Sequence, residues 1–288
     1  MFFIAVHRVQ CYTCPMKIIE ELAFAKLNLT LGILYKRQDG YHAIDTIMQT
    51  INLFDRVYIE KSRKVEVTVT GMTLPPNNTM VRAAELYQRE TGCGARIRCE
   101  KRIPAEAGLG GGSADAAAVL RGLQRLHRMC DDQTLHRIAL SVGADVPFCL
   151  VGGTCRCEGV GEVLTPFAIG TRLHFVLCKP DSGVSTGALF RSLPLPRPRV
   201  DTLKAMAALA KGDVEALALA MKNVLEPPAI DLVPEIGKLK QQLMDSGALA
   251  AQMTGSGSSV FGLFRSESDA MAALPLIDAP FKQVVHSM

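Results

Sequence analysis

Four glycines fall within the five positions Gly108 to Gly112, directly ahead of a helix-forming run that opens Ser113-Ala-Asp-Ala-Ala-Ala-Val-Leu120. No other segment restricts the fold as much, because a glycine-dense turn feeding a helix has few uses. Gly108, Gly110, Gly111 and Gly112 can adopt positive φ and present bare N–H groups, and Ser113 is placed to cap a helix whose N-terminal dipole faces the same point. An anion, above all a phosphate, fits such a junction. Two familiar patterns do not describe it. A P-loop closes on Gly-Lys-Ser/Thr, whereas this loop closes on Gly-Gly-Ser, and the dinucleotide fingerprint needs glycine where Ser113 stands. The remaining alternative is a flexible glycine loop before an ordinary core helix. The loop alone therefore says phosphate without saying which reaction.

Composition removes several classes. With 288 residues, 48% of them hydrophobic, the chain can bury two ordinary cores, and two domains are expected. Residues 1–15 show no clear period and read as an N-terminal extension; 16–166 and 167–288 read as the N- and C-terminal domains. The 32 basic and 28 acidic residues leave a net charge of only +4, with no basic run interleaved with aromatics, so nucleic acid is not an expected partner. No apolar stretch reaches the roughly 18 residues that span a bilayer, and Phe2 to Val6 is too short for a secretory signal. No membrane partner is expected, and a cytoplasmic enzyme is. Nine cysteines are scattered along the chain, and only Cys11/Cys14 have the spacing of zinc and redox pairs, with no second pair to complete a site. Cys155 and Cys157 share one face of a strand, again without companions, so the thiols read as structural.

Periodicity places the polar candidates. From Leu22 to Ile33 the residues alternate as a strand, with Leu22, Phe24, Lys26, Asn28 and Thr30 on one face and Ala23, Ala25, Leu27, Leu29 and Leu31 on the other. Lys26 and Asn28 then point the same way from a strand whose opposite face is apolar; the alternative is an edge strand with a solvated face. Gln38-Asp39-Gly40 signals a turn before Tyr41-His42 and two apolar segments, Ile44 to Leu53 and Val57 to Glu60. Asn78 is placed to cap a helix from Thr79 to about Glu90, with Met80, Ala83, Ala84 and Tyr87 facing the core. Strands are expected at Lys64–Thr70, Ala95–Ile103 and Leu173–Cys178, and a helix at Leu135–Val142. Asp145 sits before Val146-Pro147, and the proline favours an extended Val146 leading into an apolar Phe148–Val151 strand. Pro194-Leu-Pro-Arg-Pro198 breaks the chain before a run of helices. Near the C-terminus, Thr254-Gly-Ser-Gly-Ser-Ser-Val260 is a small-residue turn able to bring backbone N–H groups close to a ligand.

Three of these motifs in order, Ala25-Lys26-Leu27-Asn28-Leu29, Pro104 through Gly108-Leu-Gly-Gly-Gly-Ser113-Ala-Asp, and Thr254 to Val260, resemble the signature set of the GHMP small-molecule kinases. The additional Asp39-Gly-Tyr-His42 turn and Gly143-Ala-Asp-Val-Pro-Phe148 segment resemble the branch of that family whose substrate is a methylerythritol carrying a cytidine diphosphate group. The likeness runs from about Met16 to Phe264. It implies an α+β, two-domain GHMP kinase fold with the active site in the cleft between domains, and an ATP-dependent kinase that uses Mg2+. Carried onto this chain, it implies Lys26 and Asp145 as the catalytic pair. It also implies ATP binding by Pro104, Ala105, Glu106, Ala107, Gly108, Leu109, Gly110, Gly111, Gly112, Ser113 and Ala114, with Asn78 near the adenine and Ser113 near the magnesium. Asn28 would meet the methylerythritol end of the substrate, Tyr41 and His42 the cytosine, and Phe190 its opposite stacking face.

Ala105-Glu106-Ala107 is a departure, since many family members carry a more glycine-rich stretch before the loop, and Glu106 here places an acid near the expected nucleotide. Two other readings stand beside the main one. A GHMP kinase acting on another alcohol, of homoserine or mevalonate type, is disfavoured by the Asp-Gly-Tyr-His turn. A catalytically inactive, ligand-binding regulator on the same fold is disfavoured by the retention of both Lys26 and Asp145.

Overall fold

The computed structural model describes residues 18–71, 73–75, 77–191 and 200–288. The expected extension over 1–15, the Cys11/Cys14 pair and the Pro194–Pro198 break lie outside the described residues. The chain opens with a long antiparallel hairpin, β1 (Ile19–Lys36) and β2 (His42–Ser62). Its turn is fastened by Asp39 Oδ1, which accepts a hydrogen bond from Tyr41 N at 3.1 Å. The two apolar segments read from the sequence are one strand. β2 runs straight through Asp55, a fully buried carboxylate, because that group has partners: Lys101 Nζ and the N–H groups of Arg102 and Ile103.

There follow β3 (Glu66–Val69), α1 (Thr79–Thr91), β4 (Gly94–Glu100), α2 (Gly111–His127), α3 (Asp132–Val142), α4 (Val146–Val151), β5 (Thr154–Gly159) and β6 (Val163–Pro166). The remainder comprises β7 (His174–Lys179), α5 (Thr186–Arg191), α6 (Thr202–Lys211), α7 (Val214–Ala220), β8 (Lys222–Asn223), α8 (Glu226–Leu232) and α9 (Glu235–Asp245). It closes with β9 (Ala250–Met253), β10 (Val260–Phe264), α10 (Glu267–Ala273) and β11 (Phe281–His286). One sheet runs β3-β4-β2-β1-β8, with β5 on the free stretch of β2 and β6 on β5; the other runs β11-β7-β10-β9. The first sheet is mixed and the second antiparallel, and with the helices packed on them they make an α+β fold.

The hydrophobic core explains how β1 is held. Helices α1, α2 and α3 cover one face of the first sheet, where Ala23, Val57, Ile59 and Ile97 meet Ala83, Tyr87, Val119 and Leu123. On the other face Ala25, Leu27 and Leu29 pack with Phe175, Leu177, Phe261 and Leu263 of the second sheet. Ala23 and Ala25 thus enter different cores, although strict alternation puts them together. The pairing of β1 with β2 is irregular between Phe24 and Lys26, and a bulge there shifts the register of faces. The polar face is not solvated either: Lys26 and Asn28 are 4% and 2% exposed.

Two local expectations fail for physical reasons. The Val146–Val151 segment is a helix rather than a strand, with Pro147 at its second position, where a missing N–H is tolerated. The glycine-loop helix starts at Gly111, with Gly110 in the left-handed region as its N-cap and no side-chain cap, so Ser113 is its third residue and caps nothing. Asn78 does cap α1 as expected, its Oδ1 accepting from Met80 N and Val81 N. Among the described residues no helix is long and apolar enough to cross a membrane.

Candidate active site

The three motifs, spread over more than two hundred residues of sequence, meet at one point. Lys26 N donates to Leu109 O at 3.0 Å, joining β1 to the glycine loop. Asn28 N donates to Thr254 Oγ1 at 3.0 Å, and Ser258 N and Ser259 N donate to Glu106 O and Ala107 O, joining both to the C-terminal turn. The fit leaves no room for side chains. A Cβ on Gly108 would lie 2.1 Å from Thr254 O, and one on Gly110 3.1 Å from Lys26 Cγ; both residues also need φ near +70°.

Within this frame an ammonium group is buried and supplied with partners. Lys26 Nζ donates to Asn28 Oδ1 at 2.6 Å and lies 3.5 Å from Asp145 Oδ2. Asn28 is itself oriented, donating from Nδ2 to Thr46 Oγ1 at 2.9 Å, and Thr46 donates onward to Thr30 O. A buried charge needs such a network to offset lost hydration. Asp145, 29% exposed at the start of α4, faces open space on its other side.

That space is part of a cavity of about 600 Å³ lined by Lys26, Asn28, Tyr41, His42, Asp145 and Phe190. A second cavity of about 780 Å³ is lined by Asn78 and by every residue from Pro104 to Ser113. The two share Gly108, Gly110, Ser113, Thr186 and Ser256. The N-terminus of α2 opens on this shared rim with no side-chain cap, so the N–H groups of its first turn are available to an anion. Ala114 lines neither cavity. It is buried in α2 and its N–H is already donated to Gly110 O. In the first cavity the His42 and Phe190 rings lie 5.1 Å apart, tilted by 39°, while Tyr41 is exposed. Burial and, after it, the charge of Lys36 push the His42 imidazole below its usual pKa.

Sequence reasoning missed a charge cluster beneath the second cavity. Lys101 Nζ donates to Asp115 Oδ2 at 2.6 Å and to Asp55 Oδ2, and both carboxylates are almost completely buried. Burial works against the Lys101 charge, yet the two carboxylates hold its pKa above the ordinary lysine value. Burial pushes the Asp115 carboxyl up to about 7, opposed by Lys101 and reinforced by Asp55. The signal was present in Lys101-Arg102 just ahead of the loop, but nothing local pairs a lysine with an aspartate forty-six positions earlier. Thr186 was missed as well; its hydroxyl is 2.6 Å from that of Ser256, in the C-terminal turn, across the shared rim.

Comparison with known proteins follows the same geography. Two family models match, the GHMP kinases N terminal domain over residues 78–153 and the GHMP kinases C terminal over residues 205–275. The chain is 40% identical over 274 residues to a 4-diphosphocytidyl-2-C-methyl-D-erythritol kinase of Caldicellulosiruptor saccharolyticus, covering 91% of this chain and 94% of that protein. It is 43% identical over 268 residues to one of Acetivibrio thermocellus, covering 90% and 94%. The crystal structure of a 4-(cytidine 5'-diphospho)-2C-methyl-D-erythritol kinase superposes with a TM-score of 0.81 at 35% identity, over 94% of this chain and 100% of that one. A homoserine kinase from Cytophaga hutchinsonii, with a TM-score of 0.75 at 21% identity and coverage of 100% and 97%, shares the fold.

Proposed function

We propose a reaction from one premise: the chain belongs to the GHMP kinases, within the family of 4-diphosphocytidyl-2-C-methyl-D-erythritol kinases. It is an ATP-dependent kinase that phosphorylates a hydroxyl of 4-diphosphocytidyl-2-C-methyl-D-erythritol, a step toward isoprenoid precursors. In this reading the hydroxyl is the one at position 2, the compartment is the cytoplasm, and the chain divides near 166/167 into a nucleotide-binding half and a C-terminal half.

The assignment of residues rests above all on the placement of Lys26 and Asp145 beside the rim where two cavities join. The second cavity takes the nucleotide, its triphosphate on the uncapped first turn of α2 and its adenine toward Asn78. The first takes the cytidyl substrate, with the base at Tyr41 and His42, Phe190 offering an opposite face, and the methylerythritol end at Asn28. Asp145 accepts the hydrogen bond of the attacking hydroxyl and so aims it, and Lys26 balances negative charge growing on the transferred group. Glu106 lines the nucleotide side in a left-handed conformation, φ +50°, where most residues are strained.

A magnesium ion carried by the triphosphate suits the donors present. The Ser113 hydroxyl is a hard oxygen facing both cavities, and among the described residues no group of three or more His, Cys, Asp or Glu side chains forms a metal cage. When bound, the ion neutralises phosphate charge.

The reading is tested by incubating the purified protein with MgATP and, in turn, the cytidyl substrate, homoserine and mevalonate while following ADP release. Turnover with the first alone is expected; turnover with homoserine or mevalonate instead would overturn it. Two variants probe its parts. Gly108→Ala forces a side chain against Thr254 O at positive φ, and it is expected to destabilise the protein by about 1–3 kcal/mol and to raise KM for ATP about tenfold or more. Unchanged unfolding and ATP titrations would contradict that. For His42 the neutral imidazole is the form that persists, because its pKa is depressed. The KM for the cytidyl substrate is therefore expected to stay flat from about pH 8 down to about 6.5, the ordinary histidine value, and to rise only below it. An acid limb beginning above pH 7 would place His42 elsewhere.

A further inference from the structure

We infer that Lys36 and Arg191 form the diphosphate subsite of the first cavity, between the cytosine and the acceptor hydroxyl; the inference rests on the cytidyl reading above. Among the charged side chains lining that cavity, Lys26 and Asp145 face each other at 3.5 Å and offset one another. Lys36 and Arg191 are left, both exposed, and neither makes an ion pair among the described residues. The cavity therefore holds two uncompensated positive charges, and a diphosphate diester brings two negative ones.

Position supports the assignment as much as charge. Lys36 is the last residue of β1 and pairs across the hairpin with His42, close enough for its charge to be felt by the imidazole. Arg191 directly follows Phe190, whose ring lies against that of His42. The two cations thus adjoin the ring pair from two separate elements. The Arg191 guanidinium turns back along α5: its Nη1 lies 3.3 Å from the place a Cβ on Gly187 would occupy. Gly187 follows Thr186, whose hydroxyl meets Ser256 on the rim shared with the nucleotide cavity. The guanidinium is directed from the base-binding end toward the transfer end, which is the span a diphosphate occupies in a cytidyl-diphospho-polyol. Arginine suits that task because its planar fork can donate two bonds to one phosphate, while lysine serves as a point charge.

The test compares two ligands at equilibrium without nucleotide, at about pH 8, where His42 is neutral with or without Lys36. Dissociation constants for cytidine and for the diphosphocytidyl substrate are measured on the full chain, on Lys36→Ala, Arg191→Ala and the double variant, and on Lys36→Arg with Arg191→Lys. The double Ala variant is expected to bind the diphosphocytidyl substrate about tenfold or more weakly, to bind cytidine as the wild type does, and to lose the wild type's salt dependence. The charge-conserving variant is expected to keep most of the affinity. If cytidine and the substrate weaken equally, or the substrate does not weaken, the subsite is overturned while the cytidyl reading stands. If the wild type binds neither compound, the cytidyl reading falls and the subsite with it.

Discussion

Asp145→Asn is expected to lower kcat by about 10² or more while leaving the affinity for ATP close to that of the wild type. Asparagine has the shape of aspartate, so the start of α4 and the wall of the first cavity keep their form. What disappears is the negative oxygen 3.5 Å from Lys26 Nζ. The hydroxyl to be phosphorylated loses its acceptor, and an amide N–H can point at it instead. Lys26 meanwhile keeps Asn28 Oδ1 at 2.6 Å but no longer has a counter-charge in the cavity. The wall proposed for ATP, from Pro104 to Ser113, does not include Asp145, so nucleotide affinity is expected to be spared. Steady-state kinetics with both substrates varied decide the matter. A variant within a few-fold of wild-type kcat would remove Asp145 from the reacting centre.

Lys101→Met is expected to destabilise the fold by about 3–5 kcal/mol, because it leaves two buried carboxylates without their cation. Asp55 and Asp115 are 0% and 3% exposed, and Lys101 is the group that donates to both. Asp55 retains the N–H groups of Arg102 and Ile103, while Asp115 is left far more poorly served. The damage should also reach the second cavity, since Lys101 ties the stem of the glycine loop to Asp115, the fifth residue of α2. Urea unfolding measures the loss. A second substitution, Asp115→Asn, should restore part of it by removing one of the stranded charges, whereas a packing defect would not respond. Stability within about 1 kcal/mol of wild type would contradict the account of this cluster.

How much of this was legible in the sequence depended on whether the signal was local. The capping of α1 by Asn78 and the helical core positions Met80, Ala83, Ala84 and Tyr87 follow from short-range pattern, and the structure has them as expected. The start of α2 was misplaced because a glycine at position 110 can serve as N-cap in the left-handed region, freeing Ser113 from that duty. The helix at Val146–Val151 is not legible because six apolar residues carry no period that distinguishes helix from strand, and a proline is as compatible with a helix's first turn as with an extended start. The faces of β1 were assigned by strict alternation, which a bulge near Ala25 defeats. Lys26, Asn28 and the glycine loop, which the structure brings together, are legible as candidates because each belongs to a compact motif. The Lys101–Asp55–Asp115 cluster was not, since its members are brought together only by the pairing of β2 with β4 and the packing of α2. Lys36 and Arg191, proposed above for the diphosphate, lie on a hairpin and a short helix with no motif of their own.

The most direct measurement is a crystal structure of the protein with a non-hydrolysable ATP analogue and the diphosphocytidyl substrate bound together. The terminal phosphate is expected against the first turn of α2 at Gly111 to Ser113, the cytosine at Tyr41 and His42, and the acceptor hydroxyl within hydrogen-bonding distance of Asp145. A complex with the cytidyl group in the cavity lined by Asn78 and Pro104, or with the acceptor hydroxyl out of reach of Asp145, would contradict that arrangement.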